Sequence, residues 1–191
     1  MKEFNLIIAG FGGQGVITLA DLISKIALSE NFETKQAELH GLAQRGGSVQ
    51  THVRFGAKVF SPKVERAGAD LIITLDLLEA EKACFWASKE KTIVLSESEI
   101  FWPQENLGIS PKEIAKEIGQ FAKQLELVEA GKITQEVTGN QMAANIYLLG
   151  YTISHQFLPF KKEKVWQIIS ENLNIEFLEA NKKVFEKAFE K

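Results

Sequence analysis

The sequence predicts an α/β fold: one three-layer, Rossmann-like domain with a mixed sheet, a β-hairpin insertion after the second strand and a helical C-terminal third. Three observations carry this. A continuous apolar run, Phe4–Ala9, ends in glycines and leads into an amphipathic stretch. Strand-like and helix-like segments then alternate as far as Val128. After Val128 the periodicity is helical. At 191 residues the chain fits one domain, 1–191, long enough to bury a core.

Phe4–Ala9 (FNLIIA) suits a strand buried on both faces, as in a parallel sheet. In Gln14–Ser29 the apolar Val16, Leu19, Ala20, Ile23, Ile26 and Ala27 recur every three or four positions, which makes one helical face. Lys35–Leu39 reads as the second strand, and residues 40–48 as a polar, glycine-rich loop. Val49–Phe55 alternates apolar and polar side chains, the pattern of a half-buried strand. Gly56 and Ala57 then turn it into Lys58–Phe60 as a short hairpin, closed by Ser61-Pro62.

The α/β rhythm resumes with a strand at Asp70–Leu75, a helix at Leu77–Ala87 and a strand at Thr92–Leu95. Ser110-Pro111-Lys112-Glu113 has a cap serine, proline at the first helical position and glutamate three after the cap, so a helix starts there and runs to about Lys123. Leu125–Val128 is one more strand. Asn140–Phe157, Glu163–Asn172 and Phe177–Glu190 are helices.

Composition excludes several functions. A formal net charge of −3 argues against nucleic acid or an anionic membrane surface as partner. No apolar run reaches the roughly 18 residues of a membrane span, and MKEFNLIIAG lacks a signal-cleavage pattern, so a cytoplasmic location is expected. The one cysteine, Cys84, excludes an intrachain disulfide and a self-contained iron–sulfur cluster. His40, His52 and His155 are scattered, without metal-ligand spacing. A redox centre, if one is involved, is bound non-covalently or sits on a partner.

Two stretches carry candidate chemistry. Gly10-Phe11-Gly12-Gly13-Gln14-Gly15 satisfies G-x-G-x-x-G between a strand and a helix, where glycine allows close approach and free N–H groups attract a phosphate. The same glycines equally suit a tight packing turn. The second stretch is Glu38-Leu39-His40-Gly41-Leu42-Ala43-Gln44-Arg45-Gly46-Gly47-Ser48. Glu38 stands 26 positions after Gly12, against roughly 20 for a ribose-binding acid. The loop beyond it is too rich in functional groups for ribose binding to explain. His40 exchanges protons near neutral pH, Arg45 offers a planar fork for carboxylate or phosphate, and Gly46-Gly47-Ser48 can form an anion-binding concavity.

The remaining polar residues have plainer readings. Gln50, His52 and Arg54 share one strand face, expected to be solvated or at a subunit interface. Asp76 and Glu79 suit a helix start, with a ligand role as the alternative. Asn140 suits a helix cap, with Gln141 beside it. Asn145 faces the core, and needs partners there, if Met142, Ile146 and Leu149 form the apolar stripe. Cys84, between Ala83 and Phe85, reads as a core residue rather than a nucleophile.

Taken together, G-F-G-G-Q-G-V (10–16), E-L-H-G-L-A-Q-R-G-G-S-V (38–49), H-V-R-F-G (52–56) and N-x-x-x-L-G (145–150) resemble the small γ-type subunit of 2-oxoacid:ferredoxin oxidoreductases. The likeness is strongest to the β subunit of the indolepyruvate branch. It spans nearly the whole chain, and Leu42, where many relatives carry methionine, is a small departure.

The resemblance implies a complex that decarboxylates a 2-oxoacid on thiamine diphosphate, reduces ferredoxin through iron–sulfur clusters and yields acyl-CoA, in anaerobic metabolism. Thiamine diphosphate, Mg and the clusters then belong to a large partner subunit, and CoA is a co-substrate. No catalytic residue is assigned. His40, Gln44 and Arg45 are candidates to face the active site. Gly10, Gly12, Gly13, Gln14, Gly15, Gly46, Gly47 and Ser48 are candidates to contact CoA or a phosphate. The chain is not expected to be active alone, and a homodimer of the isolated chain stays open. Alternatives are the γ subunit of a pyruvate, 2-oxoglutarate or branched-chain 2-oxoacid enzyme, a free-standing NAD(P)- or flavin-binding Rossmann protein, and a binding module without an enzymatic partner.

Overall fold

The computed structural model describes residues 2–40, 46–101 and 110–190. Among them, β1 (Phe4–Phe11), β2 (Glu33–His40), β3 (Ser48–Gly56), β4 (Leu71–Thr74), β5 (Ile93–Glu97) and β6 (Gln124–Val128) form one sheet in the order β2-β3-β1-β4-β5-β6. β1, β4, β5 and β6 are parallel. β3 is antiparallel to both of its neighbours, with Ile7 opposite His52 and Ala37 opposite His52 from the other side.

The sheet separates two apolar cores, so the domain has three layers. On one face Leu6, Ile8, Val53, Phe55, Leu71 and Ile73 pack against α1 (Val16–Ser29), α5 (Ala144–Ser154), α6 (Lys162–Asn172) and α7 (Ile175–Lys187). On the other, Ile7, Ala9, Ile72 and Val94 meet α2 (Leu77–Ala83) and α3 (Pro111–Phe121). Alternation of side chains along the central strands produces this split, because successive residues point to opposite faces.

The α3 start has the predicted capping box: Ser110 accepts from the Glu113 N–H, while the Glu113 carboxylate accepts from the Ser110 N–H at 2.8 Å. At Gly150 in α5 an added Cβ would lie 2.8 Å from the Ala188 Cβ and 2.9 Å from the Phe185 carbonyl. The glycine lets α5 and the end of α7 approach closely.

Four sequence expectations need correction. Lys58–Phe60 is not a strand; the antiparallel partner of β3 is β2, and β3 enters the sheet between β2 and β1. Three residues before Ser61-Pro62 offer few ladder bonds, whereas β2 gives β3 eight paired positions. The helix expected from Asn140 begins at Ala144, and Met142 lies outside the core stripe, 78% exposed. The Leu77–Ala87 helix tightens into a 3₁₀ turn at Cys84–Trp86. A further helix, α4 (Ala130–Thr138), has no counterpart in the sequence reading.

The face bearing Gln50, His52 and Arg54 is not solvated. Residues 57–69 cross it as a strap. The Arg54 guanidinium donates to Asn5 Oδ1 at 2.8 Å and to the Ser61 and Lys63 carbonyls at 2.9 Å, and pairs with Glu3. His52 is 1% exposed, with Trp86 edge-on to its ring at 5.2 Å. Its Nδ1 accepts the Val64 N–H at 3.0 Å, so in the neutral ring Nε2 carries the proton. The Gln50 Nε2 lies 2.7 Å from this Nε2; two donors cannot bond each other, so the neutral ring requires the amide turned over with its oxygen as acceptor.

Burial, then the Lys63 and Arg54 cations, push the His52 pKa down to about 4. The folded state therefore binds fewer protons than the unfolded chain between pH 6.5 and 4. The stability from the neutral ring is full above 6.5 and is lost as pH falls toward 4, on the order of 3 kcal/mol. The unfolding free energy of wild type minus that of His52→Gln should shrink by about that much between pH 7 and 4; a flat difference would refute it.

Candidate functional site

The site lies at the carboxyl edge of the parallel strands, where ligands of open α/β sheets bind. β1 ends in Phe11, and Gly12–Gly15 lead into α1. The Gln14 side chain knots this turn. Its Oε1 accepts the Phe11 N–H at 2.7 Å, and its Nε2 donates to the Leu75 carbonyl beyond β4 at 3.0 Å. Both polar atoms of the Gln14 amide are thus bonded within the protein. Gln14→Ala should lower the unfolding free energy by about 2 kcal/mol, read from the urea midpoint, because two partly buried hydrogen bonds go at once.

Gly15 is the N-cap of α1, in the left-handed region at φ 85°, and gives no side-chain cap. The first turn of α1 carries no acidic residue. Among the described residues, the N–H groups of Gly13, Gly15, Val16, Ile17 and Thr18 have no acceptor. Free donors and the absence of an acid make the electrostatics of this helix start favourable to an anion.

Three hollows meet there. One of 270 Å³ lies over Gly12–Thr18 beside Val49. One of 230 Å³ runs from Gly13 and Gln14 to Phe101 and Met142. The third, 270 Å³, is bounded by Gly13, Gly15, Thr18, Asn145, Phe177 and Asn181. Asn145 and Asn181 are 6% and 9% exposed, so two buried amides border this hollow. The Asn145 Nδ2 donates to the Gly15 carbonyl at 3.3 Å, across 130 residues of sequence. Ile17, Phe101, Met142 and Phe177 form an exposed apolar rim around these openings.

The second candidate stretch closes on the first. Phe11 pairs with Ser48 and Gly10 with Val49 in the β1–β3 ladder, and the Gly12 N–H donates to the Gly47 carbonyl at 2.9 Å. Gly46, Gly47 and Ser48 therefore stand beside Gly12 and Gly13, as the sequence reading requires. His40 ends β2, opposite Val49. Its side chain, with Gln44 and Arg45, lies outside the described residues. Glu38 is exposed on β2, with β3 between it and β1, so it does not stand where a ribose-binding acid next to β1 would.

The buried carboxylates at this edge are structural. Asp76, fully buried, caps α2 by accepting from Leu78 N–H at 2.9 Å, and its other oxygen accepts from Phe101 N–H at 2.7 Å. Burial raises its pKa against these bonds. Glu97, at the end of β5, accepts the Gly131 N–H in the first turn of α4 at 2.7 Å, and burial raises its pKa too. Glu97, Asn181 and the apolar rim were not singled out from sequence; only folding brings them to this edge. Asn140 caps a turn at Met142 N–H rather than α5 itself. Cys84 is buried, its thiol pushed up to about 11 by burial and then by Glu81, and it donates to the Ala80 carbonyl, so it is a core residue as expected.

An α/β domain whose glycine turn opens a helix at the carboxyl edge of parallel strands belongs to the doubly wound class of folds. Among the described residues no group of three or more His, Cys, Asp or Glu could hold a metal ion, and no helix is long and apolar enough to cross a membrane. The chain belongs to the pyruvate ferredoxin/flavodoxin oxidoreductase family, whose model matches residues 5–191. It is 29% identical over 191 residues to indolepyruvate oxidoreductase subunit IorB of Archaeoglobus fulgidus, covering 98% of this chain and 94% of that one.

Solved structures agree on the fold. The pyruvate oxidoreductase subunit PORC of Thermotoga maritima superposes with a TM-score of 0.72 at 16% identity, over 99% of this chain and 96% of that one. The 2-oxoglutarate:ferredoxin oxidoreductase of Magnetococcus marinus, solved with 2-oxoglutarate, coenzyme A and succinyl-CoA, gives 0.73 at 15% identity over 98% of this chain but 30% of that one. The same fold thus occurs as a separate chain and within a longer one.

Proposed function

We propose that the chain is the small subunit of a cytoplasmic indolepyruvate, or aryl 2-oxoacid, ferredoxin oxidoreductase, supporting oxidative decarboxylation of the 2-oxoacid to acyl-CoA. Near-full-length similarity to an indolepyruvate oxidoreductase subunit supports the substrate class. The single cysteine, buried with its thiol pushed up to about 11, is no ligand set for clusters, so these belong to the large partner, where the family likeness also puts thiamine diphosphate and Mg. Bound there, thiamine diphosphate supplies the carbanion stabilisation that decarboxylation needs.

This chain's part is binding and positioning. The observation that carries it is the open start of α1, where the N–H groups of Gly13, Gly15, Val16, Ile17 and Thr18 border a hollow near the Gly46–Ser48 turn. These donors take a phosphate of CoA. The Asn145 and Asn181 amides bordering the next hollow offer hydrogen bonds to the rest of that co-substrate. His40, Gln44 and Arg45 face the shared active site from the loop between β2 and β3. The apolar rim of Ile17, Phe101, Met142 and Phe177 seals against the large subunit.

The test is co-expression with the large thiamine-dependent subunit, then assay of CoA-dependent ferredoxin reduction across several 2-oxoacids. Aryl 2-oxoacids should give the highest kcat/KM, and the chain alone should give none. Preference for pyruvate, 2-oxoglutarate or a branched-chain 2-oxoacid would move the protein to another branch of the family. Turnover by the isolated chain with NAD(P) or a flavin would overturn the reading.

A further inference from the structure

We propose that Glu79, in α2, is a positioning residue that holds the Gly46–Ser48 turn against the glycine turn; this rests on the reading that the stretch 40–48 faces a shared active site. Glu79 is 2% exposed, yet neither carboxylate oxygen is idle. Oε2 accepts from the Ser48 hydroxyl at 2.5 Å, and Oε1 accepts from the Lys82 ammonium at 2.6 Å. The Lys82 ammonium in turn stands 5.8 Å from the centre of the Phe11 ring, the last residue of β1.

Three contacts therefore converge on the end of the loop that carries Gln44 and Arg45. The Phe11–Ser48 ladder pair fixes the backbone in one direction. The bond from Gly12 N–H to the Gly47 carbonyl ties it to the glycine turn. The Ser48–Glu79 bond fixes it to α2, an element rigidly seated on β1 and β4 by Leu77, Ala80 and Ala83. At the other end of the stretch, His40 pairs with Val49 in the β2–β3 ladder. Glu79 is thus the side-chain anchor that joins the two candidate stretches to the helix behind them.

Stability alone is a weak reason for such an arrangement. Burying a carboxylate costs several kcal/mol, and its attraction to a lysine that is itself 60% exposed offsets only part of this. An apolar residue of similar volume is often neutral or better at such a position. What the carboxylate adds is direction: a short, charge-assisted bond that holds Ser48 in one place.

Glu79→Met, Ser48→Ala and the double variant, in the complex with the large subunit, test this. Each single change should lower kcat/KM for the 2-oxoacid about tenfold with co-elution as in wild type; the urea midpoint should hold in Glu79→Met and fall in Ser48→Ala, which leaves the buried Oε2 unpaired. The double variant should be no worse than either single one, because both break the same bond. Amide exchange at Gly47 and Ser48 in the isolated full chain should rise in Glu79→Met, a readout that needs no partner. Unchanged kinetics in an active complex, additive losses, or unchanged exchange would each overturn the proposal. A wild-type complex without 2-oxoacid activity would instead overturn the proposed function and leave the exchange result to decide the anchor.

Discussion

Gly15→Ala will destabilise the chain by about 2–4 kcal/mol, a fall in melting temperature of about 5–15 °C. Two costs combine. The backbone at Gly15 sits at φ 85°, where a Cβ meets the following carbonyl and costs about 1–2 kcal/mol. The new methyl would also collide with the Asn145 amide, which is buried and bonded to the Gly15 carbonyl. Asn145→Ala in the same chain removes the collision but not the backbone strain, so the double variant should lose less than the sum of the two singles. A loss under 0.5 kcal/mol for Gly15→Ala would show that the turn does not have this geometry.

Thr18→Asp separates binding from folding. Thr18 is exposed in the first turn of α1 and borders two of the hollows that meet at Gly13. A carboxylate there favours the helix by about 0.3–1 kcal/mol through the dipole. It also sets a negative charge where the phosphate of CoA is proposed to sit. The urea midpoint should hold or rise, while KM for CoA in the assembled complex rises about tenfold or more, each tenfold being about 1.4 kcal/mol. Thr18→Asn, uncharged and of the same shape, should leave KM near wild type. Equal KM values for the Asp and Asn variants would remove the helix start from the CoA site.

How much was legible in the sequence depends on where each element gets its stabilisation. α1 and α3 could be read because their causes are local: an apolar stripe from Val16 to Ala27, and a capping box at Ser110 and Glu113. The two glycine-bearing stretches were legible as a pair, and folding does bring Gly12 against Gly47. α4 was not legible. Its start has no side-chain cap; a carboxylate 34 residues earlier, Glu97, receives the Gly131 N–H.

The polar face of β3 misled for a similar reason. Alternation suggested one wet face, but Val53 and Phe55 are buried on one side and His52 on the other, as befits a strand inside the sheet. The strap at residues 57–69 satisfies those polar groups, and nothing local to β3 announces it. Spacing alone allows Met142 in one apolar stripe with Ile146 and Leu149, whereas α5 starts two residues later and leaves it on the rim. The anchor between Ser48 and Glu79 joins residues 31 apart that belong to different elements, so spacing could not reveal it.

This chain completes an enzyme whose redox chemistry lies on another subunit. The test titrates the purified chain into the large subunit prepared without it and follows aryl 2-oxoacid- and CoA-dependent ferredoxin reduction. Activity should rise from near zero and saturate at a fixed ratio of the two chains. Full activity of the large subunit without this chain, or none at any ratio, would contradict it.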